Sequence, residues 1–577
     1  MNLPHQLTPV TLLSVSKFQP KTEEQATTRD VPEMLPSNDK DSTEVPEKTQ
    51  GQPVFQHAER EPSLVTSIRR EVDVENNVVG TSSGVTAGDS VAANVRDNVN
   101  SDSPPSLSED LHIEESGTTA VVFTFAALSQ VSIGASVAFL PVLLLQLTRS
   151  TTTFLNTELH LIHSQIVLAD CLLLAGLVIA LVASGWLVST IGRRCSMIAA
   201  TLVSIASWLV HALATDVTIL FLGRFLAGVS AGFLKLSVTT YIMEVIVVSN
   251  RGRVLVCLEM MKIFGSIISY GLNLLLPWYH IAFLNGTWMV VCMIAFIFLP
   301  ESPAFLLIKQ KEEKALKELQ RIRSSDSKVD AELQIIKSLN PEERAKCTSL
   351  FGKPVISNTI TILGLLLLSV FCGSPIIMIR GADMLLYTGF GWRMEAAVVL
   401  VLICLFLGCL LLFCLVDEIS RRLCLMMSLA ILVVVNIALG VISYITSHSI
   451  TDATHDTPMV LARVCLILVA AFTVTLGSHT VPTILAAEYF HAYCRPQGLS
   501  MFFTISVLLQ TLILYLQPLI EETFGLAGLH WIFAIVAFLG IFYTNYCVRD
   551  IKYRTHKLSN ICHWLYKENF YEPRPLI

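Results

Sequence analysis

From residue 119 onward the chain alternates long apolar stretches with short polar turns. The apolar stretches run at about 119–146, 165–189, 195–214, 217–244, 254–276, 279–299, 355–378, 394–416, 423–446, 458–487, 498–519 and 527–547. A helix needs about 20 apolar residues to cross a hydrocarbon core of about 30 Å, so the pattern predicts twelve spans. One long interruption, 301–353, separates the first six from the last six. Inside it, Leu307, Ala315, Leu316, Leu319 and Ile322 recur at helical spacing among Lys and Glu, which predicts short amphipathic surface helices.

The turns also carry an orientation. Basic residues cluster after spans 2 (Arg193, Arg194), 4 (Arg251, Arg253), 8 (Arg421, Arg422) and 10 (Arg495), in the central loop, and after span 12. The opposite turns, SHSITDATHDT at 447–457 and IEETFGL at 520–526, hold no Lys or Arg. Short basic loops stay cytoplasmic, so both termini of this multi-pass protein are expected there; the plasma membrane is the first expectation for its location, with an internal membrane as the alternative.

Composition supports this division. Hydrophobic residues make up 53% of the 577-residue chain and charged ones only 15%, against roughly 25% charged in soluble domains. Residues 1–118 are the exception, with 9 Lys/Arg and 20 Asp/Glu; the whole-chain net charge of −6 leaves the remainder mildly basic. This segment has too few apolar residues to offset the entropy of ordering them, and is expected to be disordered, either as a regulatory tail or as a solvated extension. Its first twenty residues lack the basic start and apolar core of a secretory signal. The 14 Cys include no C-x-x-C pair and read as small buried apolar residues. A nucleic-acid partner is excluded by the absence of a basic face, and no phosphate loop, metal-spaced cluster or nucleophile–base pair points to an enzyme or a cofactor.

The turn GWLVSTIGRR at 185–194 is repeated after span 8 as VDEISRR at 416–422. This duplication resembles the major facilitator superfamily, in which a solute site lies between two halves. GRFLAGVSAG at 223–232, YIME at 241–244 followed by Arg251-Gly252, PESP at 300–303, EYFH at 488–491 with Arg495, and RDIKYRT at 549–555 resemble, in order, motifs of its sugar porter branch. Within that branch the arthropod facilitated trehalose and hexose transporters are the most similar in pattern. Organic ion transporters share the PESP motif but have a large Cys-bearing loop between spans 1 and 2. Here that loop is short (147–164) and has no Cys.

The resemblance implies an all-α membrane protein of twelve transmembrane helices in two six-helix halves, with a disordered N-terminal tail. The domains are then 1–118 (acidic tail), 119–299 (first half), 300–354 (cytoplasmic helical loop), 355–547 (second half) and 548–577 (C-terminal tail). It also implies a cytoplasmic gate of charged residues joining the halves, mapping onto Arg193, Arg194, Arg224, Glu244, Arg251, Glu301, Asp417, Arg421, Arg422, Glu488 and Arg495. Exposed ion pairs suit a gate because each is worth only about 0–1 kcal/mol and can be solvated on opening. Gly228 and Gly232, four residues apart, read as a helix-packing face.

The sugar-contacting positions depart from the family pattern. Span 7 reads SVFCGSP at 369–375 in place of a Gln pair, and span 10 reads GSHTVPT at 477–483 in place of tryptophans around Gly-Pro. Instead, charges stand within apolar spans: Asp170, Lys235, Glu259, Lys262, Arg380 and Asp383. Intramembrane charges mark functional pathways by default; pairing of Glu259 with Lys262 and of Arg380 with Asp383, each three apart, is the plainer reading. Lys235 has no acid near it on span 4, and Glu259 is its candidate partner. The candidate cavity is therefore Lys235, Glu259, Lys262, Arg380, Asp383, His479, Ser506 and Gln510.

These features lead to a monomeric transporter of a small polar solute, a sugar in the first place, by alternating-access facilitated diffusion. Two alternatives stand beside it: a carrier of an organic anion or zwitterion, and a non-transporting sensor or scaffold. Span 1, reading QVSIGAS at 130–136, has no carboxylate where proton-coupled relatives carry one, so uncoupled movement is expected.

Overall fold

The structure, a computed structural model, describes residues 117–147, 152–247, 250–323, 329, 353–388, 393–448, 457–490 and 492–548. The expected acidic tail, the C-terminal tail beyond Val548 and most of the central loop after Arg323 lie outside these residues.

Spans 1 to 6 are the helices Gly117–Leu147, His163–Ile191, Arg193–Ala212, Val217–Val245, Arg251–Leu272 and Trp278–Phe298. Among the described residues there is no strand, and eleven helical stretches are long and apolar enough to cross a membrane. The last, Arg495–Cys547, contains 53 residues. At about 1.5 Å per residue it would be more than twice as long as a hydrocarbon core is thick. It breaks at Gly525, whose φ of 71° and ψ of 169° are not helical. Spans 11 and 12 lie on either side of that break, which gives twelve spans.

Spans 7 and 10 are interrupted within the membrane. Span 7 consists of Lys353–Phe371 and Ser374–Leu386, joined through Gly373 at φ 90°, with Pro375 in the first turn of the second piece. Span 10 runs from Thr457–Thr473 through a wide π turn, Val474–Ser478, into Thr480–Tyr489. Irregular backbone at this depth persists only where protein or a cavity covers it. Here the two breaks cover each other: Ser369 donates to the Ser478 carbonyl, and the Ser374 and Ser478 hydroxyls are 2.9 Å apart.

Glycines bring paired spans into backbone contact. A Cβ on Gly134 of span 1 would lie 1.7 Å from the Lys262 carbonyl of span 5, and one on Gly265 of span 5 would lie 2.1 Å from the Val131 carbonyl of span 1. Spans 2 and 4 meet likewise: a Cβ on Gly228 would reach 2.0 Å from the Leu173 carbonyl. In lipid, where apolar burial does not drive helices together, such close packing supplies the association. The outer faces carry exposed Trp186, Leu275, Phe298, Val434 and Tyr546, as a lipid-facing belt requires.

After span 6, the short helices Pro303–Ile308 and Glu312–Ile322 bury Phe305, Leu306, Ala315, Leu319 and Ile322. Thr119 donates to the Ile322 carbonyl and Arg323 to the Val245 carbonyl, fastening this segment to spans 1 and 4.

Candidate functional site

The charged residues at the helix ends fall into two sets, one in each half. In the first half, Arg193 at the start of span 3 grips Glu244 in the last turn of span 4 with two hydrogen bonds of 2.8 Å. The two side chains are 2% and 0% exposed, and the Ser302 hydroxyl also donates to Glu244. Glu301 caps span 3 by accepting from the backbone N–H groups of Arg193 and Arg194. Burial pushes the Glu301 carboxyl above the usual carboxylate range, opposed by those backbone donors. Arg194 donates to the Leu299 carbonyl at 3.0 Å. This set locks spans 3, 4 and 6 together and does not leave the first half.

In the second half, Arg421 pairs with Asp417 at 3.0 Å and Glu488 at 3.3 Å. Arg495 bonds the Phe490 carbonyl at 3.2 Å, and Arg422 reaches Asn545 of span 12. The bridge between halves comes from Arg253, which the gate expectation omitted. Its guanidinium meets Asp417 at 3.4 Å and Glu418 at 3.0 Å, and its backbone N–H also donates to Asp417. Arg251 bonds the Ile246 carbonyl and lies within electrostatic reach of Glu488. Spans 2 and 11 complete the closure: Ser500 donates to the Leu181 carbonyl at 2.6 Å and Gln497 to Ser189 at 3.1 Å. Among the described contacts, the pairs of Arg193, Glu244, Glu301, Arg421 and Glu488 lie within single halves, while Arg253, Arg251 facing Glu488, and neutral hydrogen bonds of Gln497 and Ser500 cross between them.

Arg224 is a correction to the expected gate. It stands twenty residues before Glu244 on the same helix, about 30 Å away along its axis. It pairs with Asp170 of span 2 at 2.9 Å and donates to the Ser136 carbonyl of span 1 at 2.9 Å, so it braces the opposite end of the first half.

Midway along the spans, a narrow, nearly closed cleft lies between the halves. Lys235 contributes from span 4, Ser369 and Pro375 from span 7, His479 and Pro482 from span 10, and Phe503, Ser506 and Gln510 from span 11. The Lys235 ammonium sits 3.6 Å from Glu259 and 4.6 Å from the centre of the Phe503 ring. Lys262 holds the other Glu259 oxygen. Gln510 donates to the Ser506 hydroxyl at 2.9 Å. Arg380 and Asp383 do not join this group: they lie on the second piece of span 7, beyond the Gly373 break, with no ion pair between them among the described contacts. The candidate-cavity expectation omits Phe503, and it omits Ser369 and Pro375 although both lie in the span 7 stretch read as a sugar-contacting position; Gly373-Ser374-Pro375 and Gly477 with Pro482 mark the broken backbone there.

Residues 120–561 match the family described as "Sugar (and other) transporter". The facilitated trehalose transporter Tret1-2 homolog of Drosophila simulans is 24% identical over 377 residues, 64% of this chain and 76% of that protein. The human solute carrier family 2, facilitated glucose transporter member 6 is 30% identical over 214 residues, 37% of this chain and 41% of that protein. Among solved structures, the proton:xylose symporter XylE bound to 6-bromo-6-deoxy-D-glucose superposes with a TM-score of 0.62 at 18% identity, covering 75% of this chain and 96% of that one. Twelve spans, duplicated turns and a cleft between the halves agree with these likenesses, and the chain belongs to the sugar porter family of the major facilitator superfamily.

Proposed function

We propose that the protein carries a small polar solute, a sugar in the first place, across a membrane by alternating access, without making or breaking covalent bonds. The observation that supports this most directly is the cleft. Span 4 of the first half and spans 7, 10 and 11 of the second all line it, so a solute held there touches both moving bodies. Closure by Arg253 and Gln497 uses partly exposed contacts that water can replace, as a reversible gate requires. The relatives named for facilitated trehalose and glucose transport support a sugar as cargo.

Movement without a coupled proton is part of the proposal. The carboxylates of spans 2 and 5, Asp170 and Glu259, already hold Arg224 and two lysines. We further propose that the protein is a monomer in the plasma membrane with both termini cytoplasmic, and that 1–118 and 548–577 act as tails outside the transport body.

The test is counterflow in proteoliposomes loaded with glucose or trehalose. Saturable, stereoselective accumulation of labelled sugar without alkalinisation of the outer medium is expected. Absence of any solute exchange across a panel of sugars and small organic ions would remove the transport reading and favour a sensor.

A further inference from the structure

The cluster beside the cleft contains more positive than negative charge. Lys235, Glu259 and Lys262 all belong to the first half, on spans 4 and 5, and among the described residues Glu259 is the one carboxylate in salt-bridge contact with either lysine. Asp170 is engaged by Arg224 elsewhere in the first half, and Asp383 lies beyond the break in span 7. His479, on the facing wall, brings no negative charge in any state. Two ammonium groups therefore share one carboxylate inside the membrane, where charge is tolerated only when paired or wet.

The sharing is unequal. Lys262 takes one Glu259 oxygen in close contact, whereas Lys235 stands 3.6 Å from the other, well outside the 2.7–2.9 Å of a charge-assisted hydrogen bond. The Lys235 ammonium instead lies over the Phe503 ring and lines the cleft, with 26% of its side chain exposed. Around it stand Ser506, Gln510 and Ser369, hydroxyl and amide groups suited to a polyol. In this conformation the cleft has room for little more than one water, so a solute is accommodated there only as the halves part.

We infer that the solute itself supplies the missing negative charge: it is a small polyhydroxylated anion, with its carboxylate or phosphate against Lys235 and its hydroxyls toward Gln510 and Ser506. This inference rests on the transport reading and narrows its cargo from a sugar to an acidic sugar. A neutral hexose would leave Lys235 and Lys262 sharing the single Glu259 carboxylate.

The experiment measures uptake and mutual competition of labelled glucose, trehalose, glucuronate and glucose 6-phosphate in proteoliposomes. It uses wild type, Lys235→Gln and Lys235→Arg, with the melting midpoint of each purified protein recorded alongside. Saturable uptake of glucuronate or glucose 6-phosphate is expected in wild type, and the one that moves identifies carboxylate or phosphate. Lys235→Gln should lower that uptake tenfold or more, while Lys235→Arg should keep it within about threefold. Saturable uptake of glucose or trehalose that neither anion inhibits would overturn the inference and leave the transport reading standing. If no compound moves and none raises the melting midpoint, both fall together. The wild-type competition arm decides even if Lys235→Gln fails to fold.

Discussion

Two substitutions at the same end of the helices, Glu244→Gln and Arg253→Gln, should fail in different ways. Glu244 is fully buried, accepts two hydrogen bonds from Arg193 and one from Ser302, and has no partner in the second half among the described contacts. Neutralising it strands the Arg193 guanidinium, only 2% exposed, without its carboxylate. Breaking one side of a buried pair costs about 3–5 kcal/mol, and at about 2–4 °C per kcal/mol the melting midpoint should fall by about 10 °C. Arg253 differs: its side chain is 37% exposed, its partner Glu418 is 71% exposed, and its buried partner Asp417 keeps Arg421 when Arg253 is lost. Such pairs are worth about 0–1 kcal/mol, so Arg253→Gln should melt close to wild type. The same loss falls on one conformation, however, and about 1 kcal/mol shifts an open–closed equilibrium about fivefold. Heating followed by size-exclusion chromatography in detergent measures the first effect. Spin-label distances between the Ile191 end of span 2 and the Arg495 end of span 11 measure the second. A Glu244→Gln protein as stable as wild type, or an Arg253→Gln protein that melts ten degrees early with unchanged distances, would refute the assignment of bracing and closing roles.

Two further outcomes follow from the same geometry. A Cβ on Gly252 would sit 2.6 Å from the Asp417 carboxylate and 2.8 Å from the Arg421 guanidinium across the interface; Gly252→Ala should lengthen the spin-label distances while leaving the melting midpoint within a few degrees, and unchanged distances would show that the two side chains simply yield. In the Asp170–Arg224 pair the side chains are 37% and 1% exposed, so Asp170→Asn, which strands the buried guanidinium, should lower the midpoint more than Arg224→Gln, which leaves a carboxylate that water can reach; the reverse order in a side-by-side melt would contradict this account.

The spans were legible because membrane solvation writes itself into long apolar runs, and even the break inside Arg495–Cys547 coincides with the polar turn at 520–526. Lys235 and Glu259 could be matched from sequence because a buried lysine needs an acid and span 4 supplies none near it. Depth was read less well. Arg224 was grouped with the gate by motif, although twenty residues of helix separate it from Glu244. Arg253 was read for topology alone, since a loop arginine satisfies the orientation rule whether or not it also bridges two bodies. Arg380 and Asp383 have the spacing of a helical pair, but spacing places two residues on one face without bringing their charged tips together. The π turn at Val474–Ser478 breaks the ordinary helical period, so no periodicity argument places His479 at the cleft.

The distribution of strong and weak contacts bears on how such a body can move. Within the first half, contacts are dry and geometrically unforgiving: the sealed Arg193–Glu244 pair, the buried Arg224 guanidinium on the Ser136 carbonyl, and backbone-close packing at Gly134 and Gly265. Each resists separation because the separated groups would lose partners where no water can replace them. Between halves, partly exposed contacts that water can replace, Arg253 with Glu418 and Gln497 with Ser189, stand beside one buried neutral hydrogen bond, Ser500 to the Leu181 carbonyl. Rigid halves and a soluble seam are what a rocking motion needs, since the free-energy difference between open and closed must stay small while each half keeps its shape. The charge cluster adds a constraint. Its three members ride on the first half, while Phe503, Ser506 and Gln510 face it from the second. A solute that neutralises Lys235 and bonds to Gln510 therefore joins the two bodies where the protein itself makes few bonds. The same excess charge that argues for an anionic cargo also gives that cargo a differential affinity for the conformation in which both walls reach it.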